Sequence, residues 1–318
     1  MLISVIIPAY NEELNLEACV TSVVTGLDSD YEILVIDDGS TDGTVDIAKR
    51  LVKQNPEVRL LRHPGNINRG VAASRNLGLF FSIGEYISFI DADDICQPTR
   101  FGESLKFLKE RRDLDGVLVP VGVIFDGGAE SSARAYLPDV LDHNPEIFAD
   151  DFAAATLDGR SKFHISNLVF RRLILAKSGY FNINKKLGEE DTDFWLRMAL
   201  CGRFSALNEL KPQILYRRHI GNNWMPSQDD YFRDLVVLGE VIKWAKSSRN
   251  VTTTNIKKIE DAFVEKLYYC FTLARKQRLF GQGIAAASHA CFVSPQILFK
   301  RRYWGNLLRL ITLIVKAP

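Results

Sequence analysis

Two clusters of acidic residues stand at the ends of apolar runs in the first third of the chain. The run at residues 33–36 ends in Asp37 and Asp38, and the run at 86–90 ends in Asp91, Ala92 and Asp93. Asp91 and Asp93 are two residues apart, so in an extended segment their carboxylates point the same way. Converging carboxylates suit Mg²⁺ or Mn²⁺, which share their remaining positions with water and phosphate oxygens.

These acids also have a purely structural interpretation. On spacing alone, they could equally cap the next helix or line a solvated turn. Like charges packed so closely repel each other, which favours a bound cation. Spacing by itself leaves both interpretations open.

The elements around the acids predict an α/β fold with a mostly parallel central sheet. Helical periodicity separates the early apolar runs, one helix being capped at Ser40 or Thr41, and this alternation is typical of βαβ units. Ligands of such sheets bind beyond the carboxyl ends of the strands, so both acidic clusters should share one edge. The predicted strands lie at residues 3–8, 33–37, 58–62, 86–90, 117–121, 165–170 and 213–216, and the predicted helices include 71–81 and 190–200.

After Pro226 the pattern changes to helices alone, at residues 231–244, 256–279 and 283–291. We therefore expect an α/β domain over 1–222 and a C-terminal helical region over 223–318. That region would contact a substrate, a second copy or a membrane.

Composition narrows the function classes. A net charge of +1 over 318 residues argues against a protein that coats nucleic acid. The five cysteines are odd in number and scattered, which is typical of free thiols in the cytoplasm. We expect no secretory signal and no spanning helix, because no apolar run approaches about 20 residues.

Four motifs together resemble the family 2 glycosyltransferases, which have the GT-A nucleotide-binding fold. They occur in the family's order and spacing and cover roughly the first third of the chain. They are SVIIPAYNEE at 4–13, ILVIDDGSTD at 33–42, GVAASRN at 70–76 and GEYISFIDADD at 84–94.

The resemblance implies a nucleotide site along the first strand ends. Pro8, Tyr10 and Glu12 match the positions where the family holds the base, with Tyr10 stacking on the ring. Asp38 matches the acid that accepts a hydrogen bond from a base N–H.

It also implies a site for the diphosphate and its metal. Arg75 matches a basic residue near the nucleotide and diphosphate. Asp91 would face the ribose hydroxyls, and Asp93 would coordinate the Mn²⁺ or Mg²⁺ that bridges the diphosphate.

The segment EEDTDFWLR at 189–197 resembles the family's acidic motif, in which Asp191 would deprotonate the acceptor hydroxyl, with Glu190 beside it. Acids in a first helical turn are also favoured by the helix dipole, so they could serve stability alone. The same dipole should keep Asp191 ionised. Arg217 and His219, in a segment resembling the family's Y-R-x-H, are candidates for contacting the diphosphate or acceptor.

The implied activity is an inverting, non-processive transfer from a nucleotide-diphosphate sugar, by family habit a UDP-sugar, to a saccharide or lipid-linked acceptor. Polysaccharide or glycolipid synthesis for the cell envelope would be the pathway. The alternatives are a nucleotidyltransferase on a related fold and a non-catalytic nucleotide-sugar-binding protein.

The chain ends in basic residues at 300–302, two aromatic residues and an apolar run. A helix of this composition could lie at the inner face of the membrane as a peripheral contact. It could also dock on its own domain or form a homo-oligomer contact.

Overall fold

The computed structural model describes residues 2–27, 30–125, 140–141, 164–185, 188–207, 211–218, 228–296 and 301–315. A seven-stranded sheet forms its centre, in the order β10-β6-β9-β4-β1-β2-β3. All its pairings are parallel except those of β9, which runs antiparallel to β4 and β6. Its strands are β1 (Ile3–Ala9), β2 (Tyr31–Asp37), β3 (Val58–Arg62), β4 (Tyr86–Phe89), β6 (Gly116–Leu118), β9 (Leu168–Arg171) and β10 (Phe204–Ala206). The mostly parallel α/β architecture is confirmed.

A smaller sheet lies beside the second acidic cluster, which contains Asp91 and Asp93. Its order is β5-β11-β7-β8, and β5 follows directly on that cluster. Its strands are β5 (Ile95–Cys96), β7 (Val121–Phe125), β8 (Val140–Leu141) and β11 (Ile214–Arg218).

Helices cover both faces of the large sheet, which explains why its strands are continuously apolar. Along β1, Ile3, Val5 and Ile7 join the core on one face, while Ile6 joins the core on the other. The helices of this part are α1 (Leu16–Thr25), α2 (Thr44–Gln54), α3 (Val71–Phe81), α4 (Arg100–Glu110), α5 (Leu175–Ser178) and α6 (Glu189–Cys201).

Three local predictions were wrong. Residues 117–121 are two strands, because Pro120 interrupts the chain between β6 in the large sheet and β7 in the small one. Neither Ser40 nor Thr41 caps α2; Asp42 accepts the Thr44 N–H at 3.0 Å instead. The strand expected at 165–170 begins at Leu168, after a 3₁₀ turn.

The described part of the C-terminal region contains the helices α7 (Gln228–Ser247), α8 (Thr253–Gln277), α9 (Phe280–Val293) and α10 (Arg301–Val315). A single hydrophobic cluster continues from α3 and α6 into α7, α8 and α9. The predicted boundary at 222/223 lies outside the described residues and stays a prediction. Across the described ranges, none of the helices is both long and apolar enough to cross a membrane.

Candidate active site

The carboxyl ends of β1, β2 and β4 meet at one edge of the large sheet, because these three strands are parallel neighbours. Both acidic clusters therefore share that edge, as the sequence predicts. Asp37 is fully buried and its side chain accepts hydrogen bonds from Arg62 Nε at 2.9 Å and Ser40 N–H at 3.1 Å. Asp37 thus fixes the turn after β2 and is a structural residue.

Asp38 holds a second loop against this edge. Its two carboxylate oxygens accept the backbone N–H groups of Arg69 at 2.7 Å and Gly70 at 2.9 Å. Gly39, with φ of 78°, allows the close approach, since a Cβ there would lie 2.6 Å from Asn68 N. Asp38 is almost completely buried, so it orders the loop before α3, and its base-binding role stays a prediction.

The residues expected to hold the base lie next to this turn. Pro8 is buried near the end of β1, and Tyr10 follows with 48% of its surface exposed. The Glu12 side chain accepts a hydrogen bond from Asn15 at 2.9 Å, and its N–H donates to Thr44 Oγ1 at 2.8 Å. The exposed phenol of Tyr10 is available for stacking on a planar ring.

Arg75 on α3 lies between the strand-end acids and helix α6. Its guanidinium donates to Asp91 Oδ1 at 3.0 Å and to Asp191 Oδ1, and lies 3.8 Å from Glu190 Oε1. Only 2% of Arg75 is exposed. Burial alone would lower the pKa of Arg75, but the charges of Asp191, Asp91 and Glu190 outweigh it and raise that pKa. Arg75 is therefore a fixed cation at the point where three carboxylates converge.

Two carboxylates on α6, those of Glu190 and Asp191, have raised pKa values. Burial raises the pKa of Asp191 above its ordinary value, and the charge of Arg75 only partly opposes this. Burial and the charge of Asp191 raise the pKa of Glu190 to about 7. The dipole of α6 was expected to keep Asp191 ionised, whereas burial shifts its pKa in the opposite direction. A carboxylate with a raised pKa is a stronger base, and Asp191 keeps 29% of its side chain exposed to a reaction partner.

A neighbouring acid on α6 is structural. Asp193 is buried and pairs with Arg197 at 2.7 Å, and Arg197 also donates to the carbonyl oxygens of Ser178 and Tyr180. The stability interpretation of the helical acids thus holds for Asp193.

Two residues that the sequence analysis did not select as site residues, Asp94 and His164, lie beside Asp91. Asp91, Asp94 and His164 each offer an oxygen or nitrogen atom, and these atoms all lie within 4.8 Å of one another. Burial, reinforced by the charges of Asp91 and Asp93, raises the pKa of Asp94 well above its ordinary value. Burial lowers the pKa of His164 to about 4, so the imidazole is neutral at pH 7, the form that binds metals.

Asp94 carries a further feature of a cation site. It is fully buried, and its Oδ2 lies 3.9 Å from His164 Nδ1. Within the described part of the chain, no hydrogen-bond donor reaches that oxygen. A buried carboxylate oxygen without a donor is costly unless a cation or proton accompanies it. The group therefore fits a hard divalent cation. Asp93, the predicted metal ligand, is close enough for its charge to act on Asp94, and its ligand role stays a prediction.

Strand β11 lies against the loop that carries Asp93 and Asp94. The Arg217 N–H donates to Asp94 Oδ1 at 3.2 Å, and Arg217 Nε donates to the Asp93 carbonyl oxygen at 2.9 Å. Arg218 is buried over the ring of Tyr216, which packs against His164. Arg217 thus positions the acidic loop, whereas His219 lies outside the described residues.

The site combines a sheet edge lined by acidic residues, a candidate cation group and a carboxylate with a raised pKa. Comparison with known protein families shows that residues 4–204 of the chain match the family described as "Glycosyl transferase family 2". The chain belongs to this family. The family resemblance of its motifs and the GT-A-like fold that they imply are thereby confirmed.

Two curated relatives show how much of the chain is shared. The Escherichia coli protein called "Uncharacterized glycosyltransferase YibD" is 41% identical over 223 residues, 69% of this chain and 62% of that protein. Chondroitin synthase of Pasteurella multocida is 37% identical over 211 residues, 66% of this chain. The chain spans less than two thirds of YibD and only 20% of the synthase.

The fold also resembles that of a solved structure. Staphylococcus aureus TarS 1-349, in complex with UDP-GlcNAc, superposes with a TM-score of 0.69, covering 93% of this chain and 83% of TarS 1-349. The two sequences are only 19% identical, so this likeness supports the fold alone.

Proposed function

We propose that the chain transfers a sugar from a nucleotide-diphosphate sugar to an acceptor hydroxyl with inversion at the anomeric carbon. The observation that carries this proposal is the bridge through Arg75. It joins Asp91, at the nucleotide edge, to Asp191, the candidate base, although these acids lie on separate elements. Donor and acceptor would thus meet beside one fixed cation.

In this mechanism Asp191 takes the proton of the acceptor hydroxyl while the oxygen attacks the anomeric carbon. The diphosphate leaves from the opposite face, which inverts the configuration. The raised pKa of Asp191 strengthens it as a base, and its hydrogen bond to Arg75 holds it in place. Glu190, with a pKa of about 7, is the neighbouring acid that tunes this charge balance.

The donor would lie along the strand-end edge. Tyr10 would stack on the base, Pro8 and Glu12 would shape its pocket, and Asp38 would contact a base N–H. Asp91 would bind the ribose hydroxyls. We propose a UDP-sugar as the donor, the class of ligand with which the similarly folded TarS 1-349 was solved.

A divalent cation would complete the site. The residues that would hold Mn²⁺ or Mg²⁺ are Asp93, Asp94 and His164, beside Asp91, and the buried Oδ2 of Asp94 supports this assignment. When bound, the ion neutralises the charge that develops on the leaving diphosphate. Arg217 holds the acidic loop in place, and we assign Arg217 and His219 to the diphosphate or acceptor.

The acceptor is proposed to be a saccharide or lipid-linked saccharide in polysaccharide or glycolipid synthesis, extended by single transfers. Similarity to a chondroitin synthase supports a polysaccharide pathway. The free cysteines support a reducing cytoplasm, with the C-terminal helical region at the inner face of the membrane or in a homo-oligomer.

The test is product formation with a panel of UDP-, GDP- and dTDP-sugars, with Mn²⁺ and a panel of saccharide and lipid-linked acceptors. We expect the Asp191→Asn variant to bind the donor normally and to lose transfer by about 10²- to 10⁴-fold. Glu189→Gln, a matched change in the same helical turn, should keep its rate. Full activity of Asp191→Asn would remove Asp191 as the base. Donor binding without turnover under any condition would favour the non-catalytic alternative.

A further inference from the structure

The charges of this chain are divided unevenly along its length. The last acidic residue is Glu265, so the remaining 53 residues hold none of the 39 Asp and Glu and nine of the 40 Lys and Arg. The first 265 residues therefore hold 31 basic and 39 acidic side chains. A nearly neutral protein thus has a net charge of −8 before residue 266 and +9 after it.

Helix α10 concentrates this positive charge beside exposed apolar side chains. Trp304, Leu308 and Ile311 are 46%, 59% and 42% exposed and are spaced at i, i+4 and i+7, which places them along one stripe. Arg301 and Arg309 are exposed next to that stripe. Arg302 instead pairs with Glu265 at 3.3 Å and lies over the ring of Tyr268.

A second side of α10, which carries Tyr303, is fixed to the protein. Tyr303 is only 2% exposed; its hydroxyl bonds to the Ala287 carbonyl oxygen at 3.3 Å and lies 3.0 Å from Cys291 Sγ. Its ring packs edge-on against Phe271. Because Tyr303 anchors the helix, its apolar stripe and its arginines face outward at fixed positions.

The chemistry of this surface selects its partner. Two copies meeting through the stripe would bring clusters of like charge together, which opposes a dimer. A polyanion such as nucleic acid would pair with the arginines but would leave the exposed side chains of Leu308 and Ile311 without an apolar contact. An anionic bilayer surface satisfies both, since lipid head groups attract arginine while Trp, Leu and Ile enter the boundary with the acyl chains.

We propose that α10 binds the surface of an anionic lipid bilayer, lying in its plane with Trp304, Leu308 and Ile311 inserted. The inference stands apart from the proposed transfer reaction, because vesicle binding needs neither donor nor metal. If both hold, the lipid surface would present the acceptor to the enzyme.

Sedimentation of the full chain with phosphatidylcholine vesicles, with and without phosphatidylglycerol, tests this proposal. We expect binding only to the vesicles that contain phosphatidylglycerol, and we expect high salt to weaken it. The fluorescence of Trp304 should shift to shorter wavelength on binding, and Trp304→Phe should abolish that shift. Binding to neither vesicle, or equally to both, would overturn the proposal.

Two variants separate the electrostatic contribution to vesicle binding from the hydrophobic contribution. Arg301→Gln with Arg309→Gln should weaken binding about thirty-fold, and Leu308→Glu should weaken it about tenfold or more. The matched controls are Lys53→Gln with Arg112→Gln, and Leu173→Glu, which change exposed residues outside the C-terminal helices and should bind vesicles normally.

Vesicle binding that survives both α10 variants would assign it to another surface and overturn the proposal. So would a protein that dimerises without vesicles and becomes monomeric as Leu308→Glu, since the stripe would then be a subunit contact. Circular dichroism melting of each variant shows whether it is folded. Loss of transfer with vesicle binding intact would contradict the proposed reaction alone.

Discussion

Arg75 is the residue on which the candidate site depends most. Its guanidinium is buried among Asp91, Glu190 and Asp191, so it offsets negative charge that could not otherwise be held in a desolvated place. Phe181 lies against the guanidinium, 5.4 Å from ring centre to Cζ, which limits its movement. The geometry of the base thus depends on a cation supplied by another element.

We expect Arg75→Met to lower kcat/KM about a hundredfold, because the base loses its fixed position. The pH profile should also change in a defined direction. Asp191 must be deprotonated to act, so activity is lost as pH falls through its pKa. Arg75 lowers that pKa, and its removal should therefore move the acidic limb to higher pH.

Steady-state rates across pH for the native protein, Arg75→Met and Glu190→Gln check this prediction. Glu190→Gln removes the carboxyl whose pKa is about 7, so any limb that remains belongs to Asp191. A limb that moves to lower pH in Arg75→Met would contradict the assignment.

The cation group yields a second prediction at this scale. We expect Asp94→Ala and His164→Ala to weaken Mn²⁺ binding at least about tenfold, as Asp93→Ala should, if all three are ligands. Calorimetric titration with Mn²⁺ measures this directly. Unchanged Mn²⁺ affinity in Asp94→Ala and His164→Ala, together with its loss in Asp93→Ala, would leave the original assignment to Asp93 alone.

At the scale of elements, Glu32 on β2 links neighbouring segments of the large sheet through hydrogen bonds. Its carboxylate accepts hydrogen bonds from Ser4 Oγ at 2.6 Å, Ile83 N–H at 2.6 Å and Arg59 Nη1 at 2.9 Å. These residues belong to β1, to the connection before β4 and to β3. One buried side chain thus joins the elements that position both acidic clusters.

Glu32→Ala should lower the free energy of unfolding by about 3 kcal/mol, since it leaves buried donors without their acceptor. Glu17→Ala is the matched control, because Glu17 forms a half-exposed ion pair with Arg50 and its loss should cost less than about 1 kcal/mol. Urea denaturation measures both changes. Equal costs for the two variants would show that Glu32 contributes no more than a surface ion pair.

The elements that the sequence predicts well are those with a strong local signal. The strand at Val58–Arg62 and the helix at Val71–Phe81 match the predicted bounds, because apolar periodicity is continuous there. The break at Pro120 could have been predicted from the missing N–H, whereas the change of sheet depends on distant strands. His164 could not be predicted, since its neighbour Asp94 is 70 residues away and no motif surrounds it.

At the scale of the whole molecule, the helical region shares its core with the sheet. Phe194 on α6 belongs to the same buried cluster as Leu235 on α7 and Phe263 on α8. Among the described residues, both sides of the predicted boundary at 222/223 therefore contribute to one buried cluster on this face of the sheet.

We therefore expect one cooperative thermal transition for the whole chain. Leu235→Ala should lower its midpoint through the loss of about 2–5 kcal/mol, without splitting it. Differential scanning calorimetry measures this, with the exposed Val236→Ala as the neighbouring control. Two separate transitions, only one of which moves in Leu235→Ala, would instead indicate independent domains.

The guanidinium of Arg75, which pairs with both Asp91 and Asp191, also limits which substitutions this sequence can accept. A change at either acid unbalances the other through Arg75, so the effects of two substitutions should not add. A lineage that acquires a new donor would therefore vary its exposed rim, around Tyr10, before its strand-end acids. Where the acids themselves change, substitutions at positions 91 and 191 should occur together.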